Sequence, residues 1–287
     1  MHEVCFLTDP NHLDLPIDDQ LFRDAARRLD IATRHLVWSA PHSWESFDAL
    51  IIKSVSGYYQ RMARFRRFLH SISQQLVING VADVLWNADK RYLLDLQDRG
   101  VPIIPTIVVD SPKELRDLKV CWTADEWVVK PSISAAAHMT FRCRAGDVSE
   151  VARYSADIFR QTAAAVILQP LVPEISAIGE MSFVFLGGVF SHAVLKKPKK
   201  GEFRSQSVYG GTVSMFTPTA QQLLQAQAVL DRSPLEQPLA YARVDGTLID
   251  GRLSLMELEL IEPDLFLQYA PGAADRLAYT LLRRIVS

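Results

Sequence analysis

The chain has 287 residues, of which 48% are hydrophobic and 22% are charged, and its formal net charge at pH 7 is -2. This length allows one large domain or a few small subdomains with an ample core, and the composition is that of an ordinary globular protein. The small net charge argues against an electrostatic nucleic-acid binder, and no apolar run approaches the length of a membrane span.

The N-terminus and the cysteines are the features of the sequence that predict the cellular compartment of the protein. The segment Met1–Leu7 has no cationic region followed by a long apolar one, so we expect no signal peptide. Cys5, Cys121 and Cys143 are scattered, and their spacing fits neither a disulfide framework nor a metal site. We therefore expect buried or bystander thiols in a cytoplasmic enzyme.

The N-terminal segment predicts a small parallel α/β domain. Short apolar runs at 4–8, 31–38 and 49–53 have the character of strands, and residues 18–29 show helical periodicity with Asp18 as the N-cap. The order strand, helix, strand is typical of a parallel sheet.

A basic segment follows this domain core. Residues 57–75 predict one long helix, a short strand follows at 76–79, and the helix carries several arginines (Arg61, Arg64, Arg66 and Arg67). The basic face is either solvated or, together with Lys53, holds the carboxylate of a substrate. The pattern leaves both interpretations open.

The middle of the chain alternates between predicted helices and buried strands. Helices are predicted at 87–99 and 147–162, and strands at 126–131 and 165–171. Lys130 lies at the end of the first of these strands. The small residues that follow it, 132–137, would allow their backbone to lie close to a ligand.

The C-terminal part begins with a predicted hairpin, 182–186 and 189–195, around two glycines. The segment Lys196–Gly211, here called the cationic loop, is rich in lysine and glycine, and we expect it to be mobile. Helices are predicted at 218–232 and 271–286.

An acidic stretch near the end of the chain gives the strongest functional signal in the sequence. Between Met256 and Leu260 polar and apolar residues alternate, which is the period of a half-buried strand, so Glu257 and Glu259 share one face. Two carboxylates on one face repel each other, and a divalent cation such as Mg²⁺ removes that cost.

A third carboxylate fits the same face. Residues 241–245 read as a short strand, and the turn at 246–251 makes a hairpin that places Asp245 beside Glu257. The alternative is a solvated hairpin whose charges have no function.

Together these residues are of the types that bind a polyphosphate and a metal ion. Lysines lie at the ends of predicted elements, and carboxylates lie on paired strands. The chain has no P-loop, no dinucleotide-binding Gly-x-Gly-x-x-Gly after its first strand and no protein-kinase motif. A metal-binding hairpin without a nucleotide remains an alternative at this point.

The region Gly179–Gly211 resembles the ATP-grasp ligases of the glutathione synthetase and ribosomal-protein glutamate ligase type. Those proteins carry Gly-Asp, two strands, a basic pair, Gly-Asp-Phe-Arg-Ser-Asn and Gly-Gly. The same places here hold Gly179-Glu180, Lys196-Lys197, Gly201-Glu202-Phe203-Arg204-Ser205-Gln206 and Gly210-Gly211. Arg243-Val244-Asp245 resembles the Arg-Val-Asp of D-alanine–D-alanine ligases, and Glu257-x-Glu259 stands where that superfamily has a metal-binding Glu-x-Asn.

A narrower resemblance is to a glutathione-synthetase-like subgroup that includes the cyclo-ligase closing O-ureido-D-serine to cycloserine. It rests on residues 86–94, 100–102, 191–194 and 257–263. The family often has Arg-Ser-x-Trp-x-Tyr after its second buried strand. Residues 53–58 here lack the Arg and the Trp, which leaves the substrate open.

The resemblance implies an α/β ATP-grasp fold behind a Rossmann-like pre-ATP-grasp domain. The pre-ATP-grasp domain would be residues 1–86 and the ATP-grasp domain 87–287, the latter divided into a central subdomain, 87–170, and a C-terminal subdomain, 171–287.

The resemblance also implies which residues bind ATP. Lys90 and Lys130 would hold its phosphates, and Glu180 would accept hydrogen bonds from the ribose hydroxyls. The hinge strand against adenine would consist of Gln169, Pro170, Leu171 and Val172.

The same resemblance implies the residues that carry the chemistry. Lys196 and Arg204 would bind the γ-phosphate and the acyl phosphate made from it, and Arg243 would stabilise the oxyanion of the tetrahedral intermediate. One or two Mg²⁺ ions, with Mn²⁺ as an alternative, would bind to Asp245, Glu257 and Glu259. The glutamate at 259, in place of the usual asparagine, adds a negative charge.

The implied activity is an ATP-dependent carboxylate–amine ligase that works through an acyl phosphate and releases ADP and phosphate. Its partners would be a small-molecule carboxylate and an amine, with neither nucleic acid nor membrane, and a homodimer is left open. The alternatives are an intramolecular cyclo-ligase of the O-ureido-serine type and a catalytically silent ATP-binding regulator.

Overall fold

A computed structural model of the chain describes residues 2–10, 15–120 and 122–287. Its strands form three sheets that follow one another along the chain. Cys5 and Cys143 are buried free thiols, and Cys121 lies outside the described residues. No helix within these ranges is long and apolar enough to cross a membrane. The cytoplasmic location stays a prediction.

The first sheet is parallel. Its strands are β1 (His2–Thr8), β2 (Ile31–Val37) and β3 (Ala49–Ser54), in the order β2-β1-β3, and helix α1 (Ile17–Arg28) connects the first two. Helices α2 (Met62–Ser71) and α3 (Val81–Asn87) follow. The predicted order of strand, helix and strand is confirmed.

The second sheet is antiparallel. The segment that contains it runs through α4 (Tyr92–Asp98), β4 (Ile107–Val109), β5 (Glu126–Pro131), β6 (Phe141–Arg144), α5 (Val148–Gln161) and β7 (Val166–Pro170), and α4 packs in the core of the third sheet. Its strands lie in the order β4-β7-β5-β6. Helix α5 begins where predicted, because the Asp147 side chain accepts a hydrogen bond from the Glu150 N–H at 3.0 Å.

The third sheet is antiparallel and has the strand order β10-β9-β8-β11-β12. The segment that contains it runs through α6 (Pro173–Ala177), β8 (Glu180–Leu186), β9 (Val189–Lys197), β10 (Thr212–Phe216), α7 (Ala220–Arg232), β11 (Tyr241–Ile249), β12 (Arg252–Glu259) and α8 (Ala273–Val286). Helix α8 packs against α1, so the last helix of the chain shares a core with the first sheet.

Four local predictions are wrong. Asp18 is not an N-cap, because α1 begins one residue earlier, behind Pro16, and the Asp18 side chain is buried. The basic segment is not one long helix: a 3₁₀ turn, Tyr58–Arg61, precedes α2. Residues 76–79 form no strand and contribute one isolated bridge, between Leu50 and Val77. Residues 87–90 open no helix, since Asn87 is the last residue of α3 and α4 begins only at Tyr92.

The domain boundaries at 86 and 170 stay predictions. The first of them falls within α3, and the second coincides with the end of β7. The three sheets therefore follow the predicted three parts of the chain in order.

Candidate functional site

A cavity of about 430 Å³ lies between the three sheets. Every residue to which the resemblance gave a role lines it, from the lysines of the central part to the carboxylates of the last hairpin. The structure therefore brings together side chains that are spread over most of the chain. The role of each residue stays a prediction.

The carboxylates lie on the β11–β12 hairpin in the predicted register. Asp245 pairs with Glu257, and Arg243 pairs with Glu259. The strands are longer than predicted, since β11 runs to Ile249 and only two residues form the turn. At the bulge after Asp245, a Cβ on Gly246 would lie 2.5 Å from the Ser254 carbonyl oxygen, so the close strand contact requires glycine here.

Arg243 links the two sides of this hairpin. Its Nη2 lies 2.8 Å from Asp245 Oδ2 and also contacts the Glu259 carboxylate. Burial works against the charge of Arg243, but Asp245 and Glu259 outweigh it and raise the pKa of the guanidinium. Arg243 is thus a fixed positive charge in the cavity wall.

Lys196 lies at the end of β9 and contacts two carboxylates. Its Nζ is 2.7 Å from Glu180 Oε1 and 3.1 Å from Asp245 Oδ2. Burial opposes the charge of Lys196, yet Asp245 and Glu180 together raise its pKa. Glu180 also accepts a hydrogen bond from the Ser205 hydroxyl. The residue proposed for the ribose is therefore already engaged within the protein.

Glu257 is held by the two lysines of the central part. Its Oε1 lies 3.2 Å from Lys130 Nζ and 3.9 Å from Lys90 Nζ. Lys90 also donates to the Ser134 carbonyl oxygen at 2.6 Å, in the run of small residues. Burial lowers the pKa of Lys130, Lys90 lowers it further, and Glu257 only partly opposes them. Two cations thus face the cavity from neighbouring elements, which is an arrangement suited to phosphates.

Arg204 lies on the cationic loop. Its guanidinium contacts Glu202, with Nη2 to Oε2 at 2.7 Å, and lies 3.6 Å from the centre of the Tyr209 ring. Hydrogen bonds from Arg204 lower the pKa of Glu202 to about 2. The predicted loop is shorter than expected, because Lys196 and Lys197 belong to β9.

The other end of the cavity is apolar. Ile104 and Val172 form a small cluster there, against which Met256 packs. In the predicted hinge, Gln169 Nε2 donates to the Thr106 hydroxyl at 2.9 Å, and the Leu171 N–H donates to the Glu126 carbonyl oxygen at 2.8 Å. The Leu171 N–H is thus engaged within the protein.

Glu259 differs from the other two carboxylates of the hairpin, because its pKa is raised while those of Asp245 and Glu257 are lowered. Burial raises the pKa of Glu259 to about 7, and Asp245 and Glu257 add to this effect while Arg243 opposes it. Carboxylate oxygens are the ligands that Mg²⁺ takes, so these residues fit such an ion by their chemistry. Over residues 2–10, 15–120 and 122–287, however, no three His, Cys, Asp or Glu side chains are arranged as a ligand set.

Two alternatives from the sequence lose support in the structure. Lys53 does not hold a substrate carboxylate: it is buried away from the cavity, with its Nζ 3.0 Å from Asp19 and 3.4 Å from Asp18. Arg61 forms an ion pair with Asp9 at 2.7 Å. The hairpin is also not a merely solvated face, because Asp245 is 1% exposed.

The sequence missed several residues of the cavity. Tyr58, Glu262 and Asp264 line it, but none of them received a role. Glu262 belongs to the same acidic stretch as Glu257, and strict alternation would have placed it on the opposite face. Strand β12 ends at Glu259, so the chain turns and alternation no longer applies. The cluster of acidic residues was the only available signal.

Known proteins resemble this chain over its whole length. A family model for the N-terminal domain of D-cycloserine synthetase DcsG matches residues 4–79. The cycloserine biosynthesis protein DcsG of Streptomyces lavendulae is 30% identical over 302 residues, which cover 98% of either protein. A crystal structure of D-cycloserine synthetase DcsG covers 99% of both chains with a TM-score of 0.88.

Two further solved structures share the fold. A RimK domain ATP-grasp protein from Sphaerobacter thermophilus is 15% identical, with a TM-score of 0.68 over 99% of this chain and 100% of that one. The ATP-grasp ligase PsnB, solved with a precursor variant, Mg and ADP, is 14% identical, with a TM-score of 0.64 over 98% of both chains. The predicted α/β ATP-grasp fold is confirmed.

Proposed function

Since the chain belongs to the ATP-grasp ligases, in the group of D-cycloserine synthetase, we propose that it activates the carboxylate of a small amino-acid-like substrate with ATP and transfers the acyl group to a nitrogen. The products are an amide-type bond, ADP and phosphate. The carboxylate and the nitrogen come from small molecules, and the homodimer stays a prediction.

The observation that supports this proposal most is the convergence of cations and carboxylates on one cavity with an apolar end. We assign adenine to the apolar end, against the hinge. Lys90 and Lys130 then face the phosphates, and Lys196 faces the γ-phosphate with Arg204 above it. Binding of a polyphosphate would replace the contacts that these lysines make with Glu257 and Glu180 in the free protein.

ATP and Mg²⁺ serve the ATP-grasp ligases in general, and PsnB has been solved with Mg and ADP. We assign one or two Mg²⁺ ions, with Mn²⁺ as an alternative, to Asp245, Glu257 and Glu259. The ion supplies positive charge against the phosphoryl group that is transferred. Once the phosphates take over the lysines, the carboxylates are free to face an ion.

The reaction needs no nucleophile from the protein. A carboxylate oxygen of the substrate attacks the γ-phosphorus, the bond to ADP breaks, and an acyl phosphate forms. The nitrogen then attacks the acyl carbon, the C–O bond to phosphate breaks, and the nitrogen loses a proton. Lys196 and Arg204 stabilise the charge on the phosphoryl oxygens, and Arg243 stabilises the oxyanion on the acyl carbon.

Glu262, in the cavity wall, favours a substrate that carries an amino group. Among the residues that the structure describes, Glu262 has no hydrogen-bond or ion-pair partner, although it lines the cavity. Burial raises its pKa to about 8, Glu259 adds to this effect, and Lys90 opposes it. A carboxylate without a partner binds a cation favourably. We assign the ammonium group of the substrate to Glu262.

Ring closure is the second candidate, and the similarity to D-cycloserine synthetase over 98% of both proteins favours it. A cyclo-ligase of the O-ureido-serine type would need one substrate beside ATP, whereas an intermolecular ligase needs two. The test is ADP release with Mg-ATP and O-ureido-D-serine alone, compared with single amino acids and with pairs of amino acids.

The outcomes of this test separate the candidates. ADP release that is saturated by O-ureido-D-serine alone supports ring closure. ADP release that requires two amino acids together supports intermolecular ligation. If no member of these pools stimulates ADP release above the rate with ATP alone, the proposed ligase activity on small amino acids is wrong.

A further inference from the structure

The loop 264–267, which follows the acidic hairpin, is held by the first helix of the chain. Asp18, on α1, accepts hydrogen bonds from the Leu265 N–H at 2.5 Å and from the Leu267 N–H at 2.8 Å. The Asp18 side chain is only 2% exposed. Hydrogen bonds to a buried charge are among the strong ones, so this contact ties the loop firmly to the N-terminal part.

The residue between these two N–H groups has an unfavourable backbone conformation. Phe266 has a φ of 53°, in the left-handed region that a bulky residue rarely adopts. Such a conformation persists only where its surroundings hold it. Asp18 binds the backbone on either side of Phe266, and therefore stabilises this conformation directly.

The same loop contacts Arg243 from the side opposite to the carboxylates. The Asp264 carbonyl oxygen accepts a hydrogen bond from Arg243 Nη1 at 2.8 Å. The guanidinium carbon of Arg243 lies 5.5 Å from the centre of the Phe266 ring. The loop therefore holds Nη1 of the guanidinium, while Asp245 and Glu259 hold Nε and Nη2.

We propose that Asp18 is a positioning residue, which holds the loop 264–267 and through it orients Arg243 toward the reacting acyl group. The proposal rests on the oxyanion role of Arg243 in the proposed function. An error of about 1 Å in the placement of a stabilising group is enough to lower a rate by about a hundredfold. The N-terminal part thus contributes to the chemistry without touching the reacting atoms.

The neighbouring Asp19 is a natural control. Both carboxylates contact Lys53, and Asp19 also accepts a hydrogen bond from the Ser54 hydroxyl. Burial would lower the pKa of Lys53, but Asp19 and Asp18 together raise it, so the lysine keeps its charge. For Asp19, the hydrogen-bond partners found within the described part of the chain are Lys53 and Ser54, which lie outside the loop.

The experiment compares D18N with D19N. Both substitutions keep the side-chain volume and remove one charge beside Lys53, so we expect a similar loss of thermal stability. Only D18N weakens the hold on the loop. With O-ureido-D-serine, or the amino acid that gives ADP release in the test above, kcat should fall about tenfold or more in D18N and by less than about threefold in D19N. The Kd for Mg-ATP should stay within about twofold in both.

Double variants test whether Asp18 acts through Arg243. If it does, D18N should lower kcat much less in an R243A background than in the wild type, because the two residues act as a unit. Effects that multiply would overturn the positioning role. Equal kcat values for D18N and D19N would also overturn it.

Two further results must be kept apart from failure of the positioning role: normal turnover in R243A, and a D18N protein that does not fold. If R243A itself retains normal turnover, the oxyanion role in the proposed function fails. If D18N does not fold, F266L tests the same connection from the loop, since it removes the ring beside Arg243 and leaves Asp18 intact. We expect a lower kcat at unchanged Mg-ATP affinity, and an unchanged kcat would overturn the proposal.

Discussion

The ammonium group of Lys196 lies 2.7 Å from the Glu180 carboxylate. The first of these residues is assigned to the γ-phosphate and the second to the ribose hydroxyls, so a bound nucleotide has to replace their mutual contact. The buried Asp245 carboxylate holds the same lysine at 3.1 Å. We therefore expect the binding of ATP to rearrange charges inside the cavity and to leave carboxylates that need a new partner.

We expect the affinity for ATP to depend strongly on Mg²⁺. Without the ion, the triphosphate meets Asp245, Glu257 and Glu259 on one hairpin, and like charges repel. Calorimetric titration should show a Kd for ATP that is at least about tenfold weaker with excess chelator than with Mg²⁺. Adenosine, which has no phosphates, is the control and should bind equally under both conditions. Equal ATP affinities would contradict the assignment of this site.

Arg204 and Arg243 should affect turnover much more than nucleotide affinity, because neither is assigned to adenine. In R204A and R243A we expect kcat to fall about a hundredfold or more, which is the scale for losing one donor at a developing oxyanion. Mg-ATP affinity should stay within a few-fold. Steady-state ADP release, measured beside nucleotide binding, checks both expectations.

The controls for these variants address folding and specificity. R142A removes an exposed arginine that pairs with Glu126 outside the cavity, and should leave kcat unchanged. R204K should also be impaired, since an ammonium group cannot make the bidentate contacts of a guanidinium. Normal turnover in R243A would show that the oxyanion lies elsewhere.

The cationic loop should be mobile only in part. Lys196 is 6% exposed at the end of β9, whereas Val208, within residues 198–211, is 81% exposed. Hydrogen exchange should therefore be fast in residues 198–211 without nucleotide and slower with Mg-ADP, while β9 stays protected in both states. Full protection of residues 198–211 in the free protein would refute the predicted mobility.

Glu262 should determine recognition of the substrate amine. At a pH of about 8 or above, where Glu262 carries its charge, we expect E262Q to raise the KM for an amino-bearing substrate about tenfold or more, with the KM for ATP unchanged, because an amide lacks the charge that pairs with an ammonium group. E45Q, at an exposed site off the cavity, is the control. An unchanged substrate KM in E262Q would rule out this assignment.

The same assignment predicts a pH dependence. The pKa of Glu262 is raised to about 8, so the carboxylate is mostly protonated at lower pH and gains its charge as the pH rises. The substrate KM of the wild type should therefore fall as the pH increases from about 6 to about 8. In E262Q this part of the pH dependence should disappear. A parallel fall in both proteins would assign it to another group.

Much of the site could be predicted because its signals are local. The alternation around Glu257 and the short turn before it placed Asp245 opposite Glu257, and the register confirms this pairing. Hydrophobic alternation and turn residues act within a few positions of each other, so one segment of sequence carries them. The motifs of the cationic loop, in contrast, gained their meaning from the resemblance to ATP-grasp ligases.

Side chains whose partners lie far along the chain could not be assigned in this way. Asp18 has the sequence context of an N-cap, and Lys53 that of a free cation at a strand end. In the structure, Asp18 binds N–H groups 247 and 249 residues away, and Lys53 balances the charge of Asp18 and Asp19. The sequence by itself determined most of the elements, the hairpin register and the set of charged residues, since these depend on local pattern. Only the tertiary structure decided which of those charges face the cavity and which form ion pairs within the protein. Burial and distance determine whether a charged group meets a ligand or another side chain.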